Sequence, residues 1–123
     1  MMTDAIQSIL STIVNSYAVI VESDDIPSGT FAVHQEDLSA SLRDKEGVFG
    51  YIYNVAITVV SESPDDIDTK IAAIITAMIA ASGTVSSTTI EEVLFSSSEG
   101  KAWDDEKKRY YDLITFSVET KNL

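Results

Sequence analysis

Cysteine is absent from this chain. That excludes disulfides, thiolate zinc sites and cysteine nucleophiles together. Histidine occurs once, at His34, and tryptophan once, at Trp103. One histidine leaves little for general acid–base work, and no G-x-S-x-G, H-E-x-x-H or P-loop pattern is present. Gly29, Gly47, Gly50, Gly83 and Gly100 are too scattered to cradle a phosphate. Cationic side chains are scarce too: 8 Lys and Arg stand against 20 Asp and Glu, a net charge of −12. Such a balance argues against an electrostatic grip on nucleic acid or on an anionic membrane. It does not argue against standing beside DNA, which a negative surface repels rather than holds.

Long hydrophobic runs are missing as well. Residues 71–90 are the longest uncharged stretch, but Gly83 and "SSTT" at 86–89 interrupt it. The apolar part is about eleven residues, where a membrane helix needs about 20. The start "MMTDAIQSIL" carries Asp4 and lacks a basic n-region, so a soluble chain made in the cytoplasm is expected. At 123 residues the expectation is one domain, 1–123, able to bury roughly two-thirds of its unfolded surface.

What is present reads as alternating elements. Ile6, Ile9, Leu10, Ile13, Val14 and Tyr17 share one helical face, and Asp4 with Gln7 resembles a capping box, predicting a helix over 4–17. "AVIVE" (18–22) reads as a short strand, "SDDIPSG" (23–29) as a turn, and "TFAVHQ" (30–35) as a second strand. Residues 36–50 have no clean period and fit an extended arm, a hairpin or a loop. "YIYNVAITVV" (51–60) is the strongest strand, apolar on both faces and therefore central. "SPDDIDTKIAAIITAMIAAS" (63–82) opens with Ser63 as cap, Pro64 at the first position and acids in the first turn, and Gly83 supplies the stop. "TIEEVLF" (89–95) and "YYDLITFSVET" (110–120) read as strands, the latter with Ile114, Phe116 and Val118 inward. The polar stretch 96–109 between them reads as a long loop. The fold class predicted is α+β: two helices packed on a mostly antiparallel sheet of four to five strands, in the order α-β-β-β-α-β-β.

Several features compete for a functional reading. His34 reads as structural or surface-lying rather than catalytic. Three acidic groups, Asp24 with Asp25, Asp65–Asp66–Asp68, and Asp104–Asp105–Glu106, lack the spacing of a calcium loop. No metal or cofactor is expected, and no enzymatic activity. "WDDEKKRYY" (103–111) reads either as a solvated hairpin tip or as a docking loop, with Trp103 as anchor and Lys107, Lys108 and Arg109 pairing with acids on a neighbour. In the second helix Ala72, Ala73, Thr76, Ala77 and Ala80 form a face nearly free of charge. They call for a close neighbour, either the first helix or another subunit.

Taken in order, "DDIPSGTFAVHQ", the arm, "YNVAITVVSESPDDIDTKIAAII" and "YYDLITFSVE" resemble the tail completion proteins of long-tailed bacteriophages, the tail terminator or head–tail joining group. The resemblance covers residues 4–120 and is one of fold and spacing. It implies a structural virion protein at the head–tail interface and no reaction. It also implies a homo-oligomeric ring, commonly of six subunits, that stops tail-tube growth and meets head completion proteins. DNA would then pass through the lumen without specific binding. The contact elements expected are the arm at 36–50 and the stretch 96–109, with Arg43, Lys45, Trp103, Lys107, Lys108 and Arg109 as candidate residues. Another head–tail connector or a tube component is the alternative within that group. A protein-binding domain outside phages is the alternative beyond it.

Overall fold

A computed structural model describes residues 2–17, 29–44, 47–81, 83–85, 88–105 and 108–121. Their order is α1 (Met2–Leu10), β1 (Asn15–Tyr17), β2 (Phe31–Asp44), β3 (Gly47–Ser61), α2 (Pro64–Ala80), β4 (Gly83–Val85), β5 (Thr88–Ser98), β6 (Ala102–Asp104) and β7 (Arg109–Lys121). The sheet runs β1-β2-β3-β7-β5-β4, with β6 paired to β7. Every pairing is antiparallel except β1 with β2. The α+β class and the two helices on a mostly antiparallel sheet are as expected. Four strands are long, and three additional strands have three residues each. The expected strand at 18–22 and most of the turn at 23–29 lie outside the described residues.

The first helix is shorter than its hydrophobic period. It ends at Leu10, not Tyr17. Past that point the Ser11 and Thr12 hydroxyls donate to the carbonyls of Ser8 and Ile9, both at 3.1 Å, and the β-branched run Thr12-Ile13-Val14 disfavours further helix. One tightened turn follows, in which the Ile13 and Val14 amides both donate to the Leu10 carbonyl. Residues 15–17 then join the sheet. The Gln7 side chain does not cap; its Nε2 donates to the Ser16 carbonyl at 3.1 Å.

The arm is a hairpin. β2 pairs with β3 from Phe31–Val60 to Asp44–Gly47, with register shifts at Leu38/Ala40 and Leu42/Arg43. Each shift inserts a residue that inverts the in–out alternation, which is why no period-two signal survives over 36–50. Gly50 is opposite Lys121, the last residue of β7, so beyond it, among the described residues, the hairpin continues as two strands. β3 lies between β2 and β7, the central place its composition predicts.

The stretch 96–109 is likewise a hairpin rather than a loop. β5 continues to Ser98, and β6 then pairs with the opposite end of the same edge of β7. Gly100, at φ +87°, lies in the three-residue bulge between them, and the Lys108 amide closes the turn on the Asp104 carbonyl at 2.8 Å.

α2 starts as expected: Ser63 accepts from the Asp66 amide and Pro64 follows. Its last turn gives way to extended backbone at Ala81, and Gly83 adopts φ +82° two residues later. Ile67, Ile74 and Met78 are fully buried against the sheet. The alanine side is not covered: Ala72, Ala73, Thr76 and Ala80 are exposed and Ile79 is 52 % exposed. α1 lies chiefly over β1 and β2, whereas α2 lies over β3, β5 and β7. The core between helices and sheet gathers Val55, Ile57, Val59, Ile114, Phe116 and Val118 with Ile6, Leu10 and the α2 residues.

Phe116 is fully buried and meets Phe95 edge-on at 5.6 Å. Phe116→Ala is expected to lower unfolding free energy by about 3–5 kcal/mol. Leu94→Ala, at a position 56 % exposed on the same sheet, is expected to change it by less than about 1 kcal/mol. Urea denaturation of the two variants measures the contrast.

Candidate interaction surfaces

The antiparallel run of β3 and β7 separates the residues singled out from sequence into two groups. Arg43 pairs with Val48 near the projecting tip of the first hairpin. Trp103 pairs with Tyr110 at the other end of the sheet, beside Ser61. At about 3.3 Å per residue the two places are roughly 40 Å apart. Lys45 and Lys107 lie outside the described residues. Trp103, Lys108 and Arg109 are brought together, and Arg43 is not with them.

At the Trp103 end the described cations are already engaged within the chain. Arg109 Nη2 is 3.3 Å from Glu62 and its Nη1 donates to the Lys108 carbonyl at 3.2 Å. Lys108 pairs with Asp105 at 3.0 Å, an exposed contact of little energetic weight. Lys101 donates to both oxygens of Asp68 at 2.7 Å. That hydrogen bond above all holds the Lys101 ammonium above its usual range. Burial opposes the shift, and the charges of Asp68, Asp112 and Asp65 add to it. The Lys101 and Arg109 pairs tie this end of the sheet to Asp68 of α2 and to Glu62 just before it. What the hairpin turns outward is aromatic: Trp103 is 46 % exposed, with its ring 4.6 Å from that of Tyr110 at 57°, and Tyr111 is exposed on the opposite face.

The two faces of the sheet differ. The helix-free face presents Gln35, Asp37, Asn54, Thr58, Thr115, Ser117, Glu119, Glu92 and Leu94 by strand alternation from the registers. By the same alternation it carries the carboxylates Asp37, Glu92 and Glu119, with the register positions of Arg109 and Lys121 at the two ends of β7. The two edges are also open among the described residues. β1 covers β2 only from Phe31 to Val33, and β4 covers β5 only from Thr88 to Ile90. Beyond those points the outer edges of β2 and β5 have no described strand partner. Three exposed apolar side chains stand on them: Leu38 at 58 %, Leu94 at 56 % and Phe95 at 37 %. Periodicity finds β5 as a strand but carries no sign of its place at an edge, and the bulge beside Leu38 hides that residue within an irregular stretch.

The remaining candidates resolve into structure. His34 is fully buried on the helix side, bonded to Glu36 and to Gln7 Oε1 at 2.7 Å. Asp65, Asp66 and Asp68 occupy the opening turns of α2, where the helix dipole favours them. Asp24, Asp25 and Glu106 lie outside the described residues. Among the described residues no cluster of three or more His, Asp or Glu could hold a metal, and no helix is long and apolar enough to cross a membrane.

No protein-family profile and no curated protein sequence matches the chain. A search of solved structures does find a likeness: a chain of the virion of a native gene transfer agent (GTA) particle. The match has a TM-score of 0.69 and 17 % identity, covering 95 % of this chain and 84 % of that one. At this identity the likeness is one of fold, and it spans nearly every element described above.

Trp103→Ala is expected to lower unfolding free energy by about 1 kcal/mol, from the loss of the half-exposed contact with Tyr110, and the melting temperature by a few degrees. Lys108→Ala is expected to change stability by less than about 0.5 kcal/mol. Differential scanning calorimetry on the two variants checks both.

Proposed function

We propose that this chain is a structural protein of a phage-like virion, a tail completion protein that forms a ring, caps the tail tube and joins it to the head. The fold likeness to a virion chain supports the setting. The observation that carries the ring is the pair of sheet edges that have no strand partner among the described residues over most of their length. β2 and β5 bound the long-stranded part of the sheet and run in opposite directions. A neighbour related by rotation about an axis along the strands would offer its β2 to this β5 in antiparallel sense. The sheet would then continue across the joint without a break in pattern. Such a head-to-tail contact closes into a ring when its rotation fits, and it removes both exposed edges. Leu38 and Phe95 both belong to the helix-bearing side, at opposite edges, so the joint would bring them near each other and cover them.

In that ring the bulkier helix side faces outward and the helix-free face lines the lumen. Its carboxylates Asp37, Glu92 and Glu119, with basic positions only at the two ends of β7, favour passage of DNA over adhesion, since few phosphate contacts or counterion releases are on offer. The projecting end of the β2–β3 hairpin, with Arg43, and the end with Trp103, Lys108 and Arg109 then point along the axis in opposite directions. One meets the tail tube and the other the head completion proteins. A six-membered ring is the size the resemblance implies. A tube component or another head–tail connector could use the same edges, and differs in that its rings stack into filaments.

The chain's lack of cysteine makes the test direct. In a Leu38→Cys, Phe95→Cys double variant incubated with tail tubes of its own phage, a short bis-maleimide should link neighbouring copies into a ladder ending at the ring. Either single variant should give dimers at most. Leu38→Asp should leave the melting temperature within a few degrees, because the residue is exposed, and abolish the ladder and the capped tubes seen by electron microscopy. Uncapped tubes and no ladder with the unmodified edges would sink the reading, and filaments would favour the tube component.

A further inference from the structure

The hairpin of β6 and β7 leaves one large side chain half in water with a single recognition surface to offer. Trp103 is 46 % exposed, and its ring lies 4.6 Å from that of Tyr110, which packs against the core. Indole has one hydrogen-bond donor and no acceptor. That donor, Nε1, is directed at Asp105 Oδ1 at 3.5 Å, and the same oxygen accepts from Lys108 Nζ at 3.0 Å. The Lys108 amide closes the turn on the Asp104 carbonyl at 2.8 Å, which fixes Asp105 beside the indole. What Trp103 still has for a partner is its π face, and the quadrupole of that face attracts cations. Asp105 has a second carboxylate oxygen with no bond among the described residues, on a side chain 87 % exposed.

The charges nearby select the sign of that partner. Lys101, two residues before Trp103, feels Asp68, Asp112 and Asp65 together, one ammonium among three carboxylates. Arg109 is held by Glu62 and Lys108 by Asp105. An anionic partner would meet cations already engaged and a surplus of acids. A purely apolar partner would strip water from these ion pairs and give nothing in return. A guanidinium suits both features, since its plane stacks on an aromatic ring and its fork donates to a carboxylate. We propose that Trp103 and Asp105 form the receiving half of a docking site for a basic segment of a partner protein, with an arginine stacked on the indole and bonded to Asp105. Lys108 and Arg109 then serve to hold the acids of this end in place, and the docking cation comes from the partner. In the ring proposed above this end points along the axis. The partner's place in a virion rests on that reading, whereas the site itself belongs to a single copy.

The chain has a single tryptophan, so its emission reports this place alone. The probes are three short peptides in which arginine, lysine or glutamate alternates with glycine. Each is titrated into the isolated chain at about 0.15 M salt, where attraction between exposed charges is screened beyond about 8 Å. The arginine peptide is expected to give a saturable change in Trp103 emission. The lysine peptide should bind about two- to fivefold more weakly, and the glutamate peptide should give no change. Asp105→Asn, at an exposed position that leaves the fold intact, should weaken the arginine peptide about fivefold. Glu92→Gln removes the same charge about 30 Å away along β7 and should weaken it by less than about twofold. Trp103→Leu should weaken it about fivefold, read from the amide shift of Tyr110. Equal losses in Asp105→Asn and Glu92→Gln, a preference for the glutamate peptide, or an unchanged affinity in Trp103→Leu overturns the inference. The titration needs no assembly, so its failure is distinct from failure of the ring, which the Leu38–Phe95 ladder reads.

Discussion

Val55, Ile57 and Val59 of β3 lie in register with Phe116, Ile114 and Asp112 of β7, and the apolar members of this double row are sealed under α2 by Ile67, Ile74 and Met78. Burying each large aliphatic or aromatic side chain contributes about 1.5–3 kcal/mol, so this strip is the main source of the fold's stability. The period of two along both strands decides which side chains enter it, and one slip would expose them all. The rest of the molecule is arranged around that row. The helices occupy one face because the apolar residues point there. The opposite face mixes polar residues and carboxylates with half-buried Val33, Ile52, Val60 and Leu113.

The parts of the fold that repeat this pattern were legible in the sequence. β3, α2 and β7 declared themselves through alternation, capping residues and the inward Ile114, Phe116 and Val118. The parts that break it were not. Register shifts, one at Ser39 of β2 and one at Phe49 of β3, erased the period over the first hairpin, and a bulge around Gly100 made a second hairpin look like a loop. α1 kept a helical pattern through Tyr17, yet its last positions pack through a turn and a strand, because hydroxyl side chains competed for the helix carbonyls. Gln7 looked like a cap and is a bridge to Ser16 and His34, contacts 9 and 27 residues away that no local pattern encodes.

Charge is distributed with a similar division. The described lysines and arginines of the Trp103 end are spent on neighbours in the same chain: Lys101 on Asp68, Arg109 on Glu62, Lys108 on Asp105. Sequence composition shows the basic residues but not the Lys101 and Arg109 engagements, which depend on α2 starting beside β6. The acid excess is then left unbalanced elsewhere, including the helix-free face. The alanine side of α2 is exposed for a comparable reason. The strip beneath needs only one side of the helix, and small side chains leave little apolar area on the other.

The number of long strands has a consequence of its own. Four is even, and in a meander of alternating direction an even count leaves the first and last strands pointing opposite ways. An odd count would leave them pointing the same way, and copies placed side by side could then join only in the parallel sense. In the ring proposed above, parity therefore sets the sense of the joint: lengthening, shortening or gaining a whole hairpin keeps it antiparallel, while gain or loss of one full strand makes it parallel.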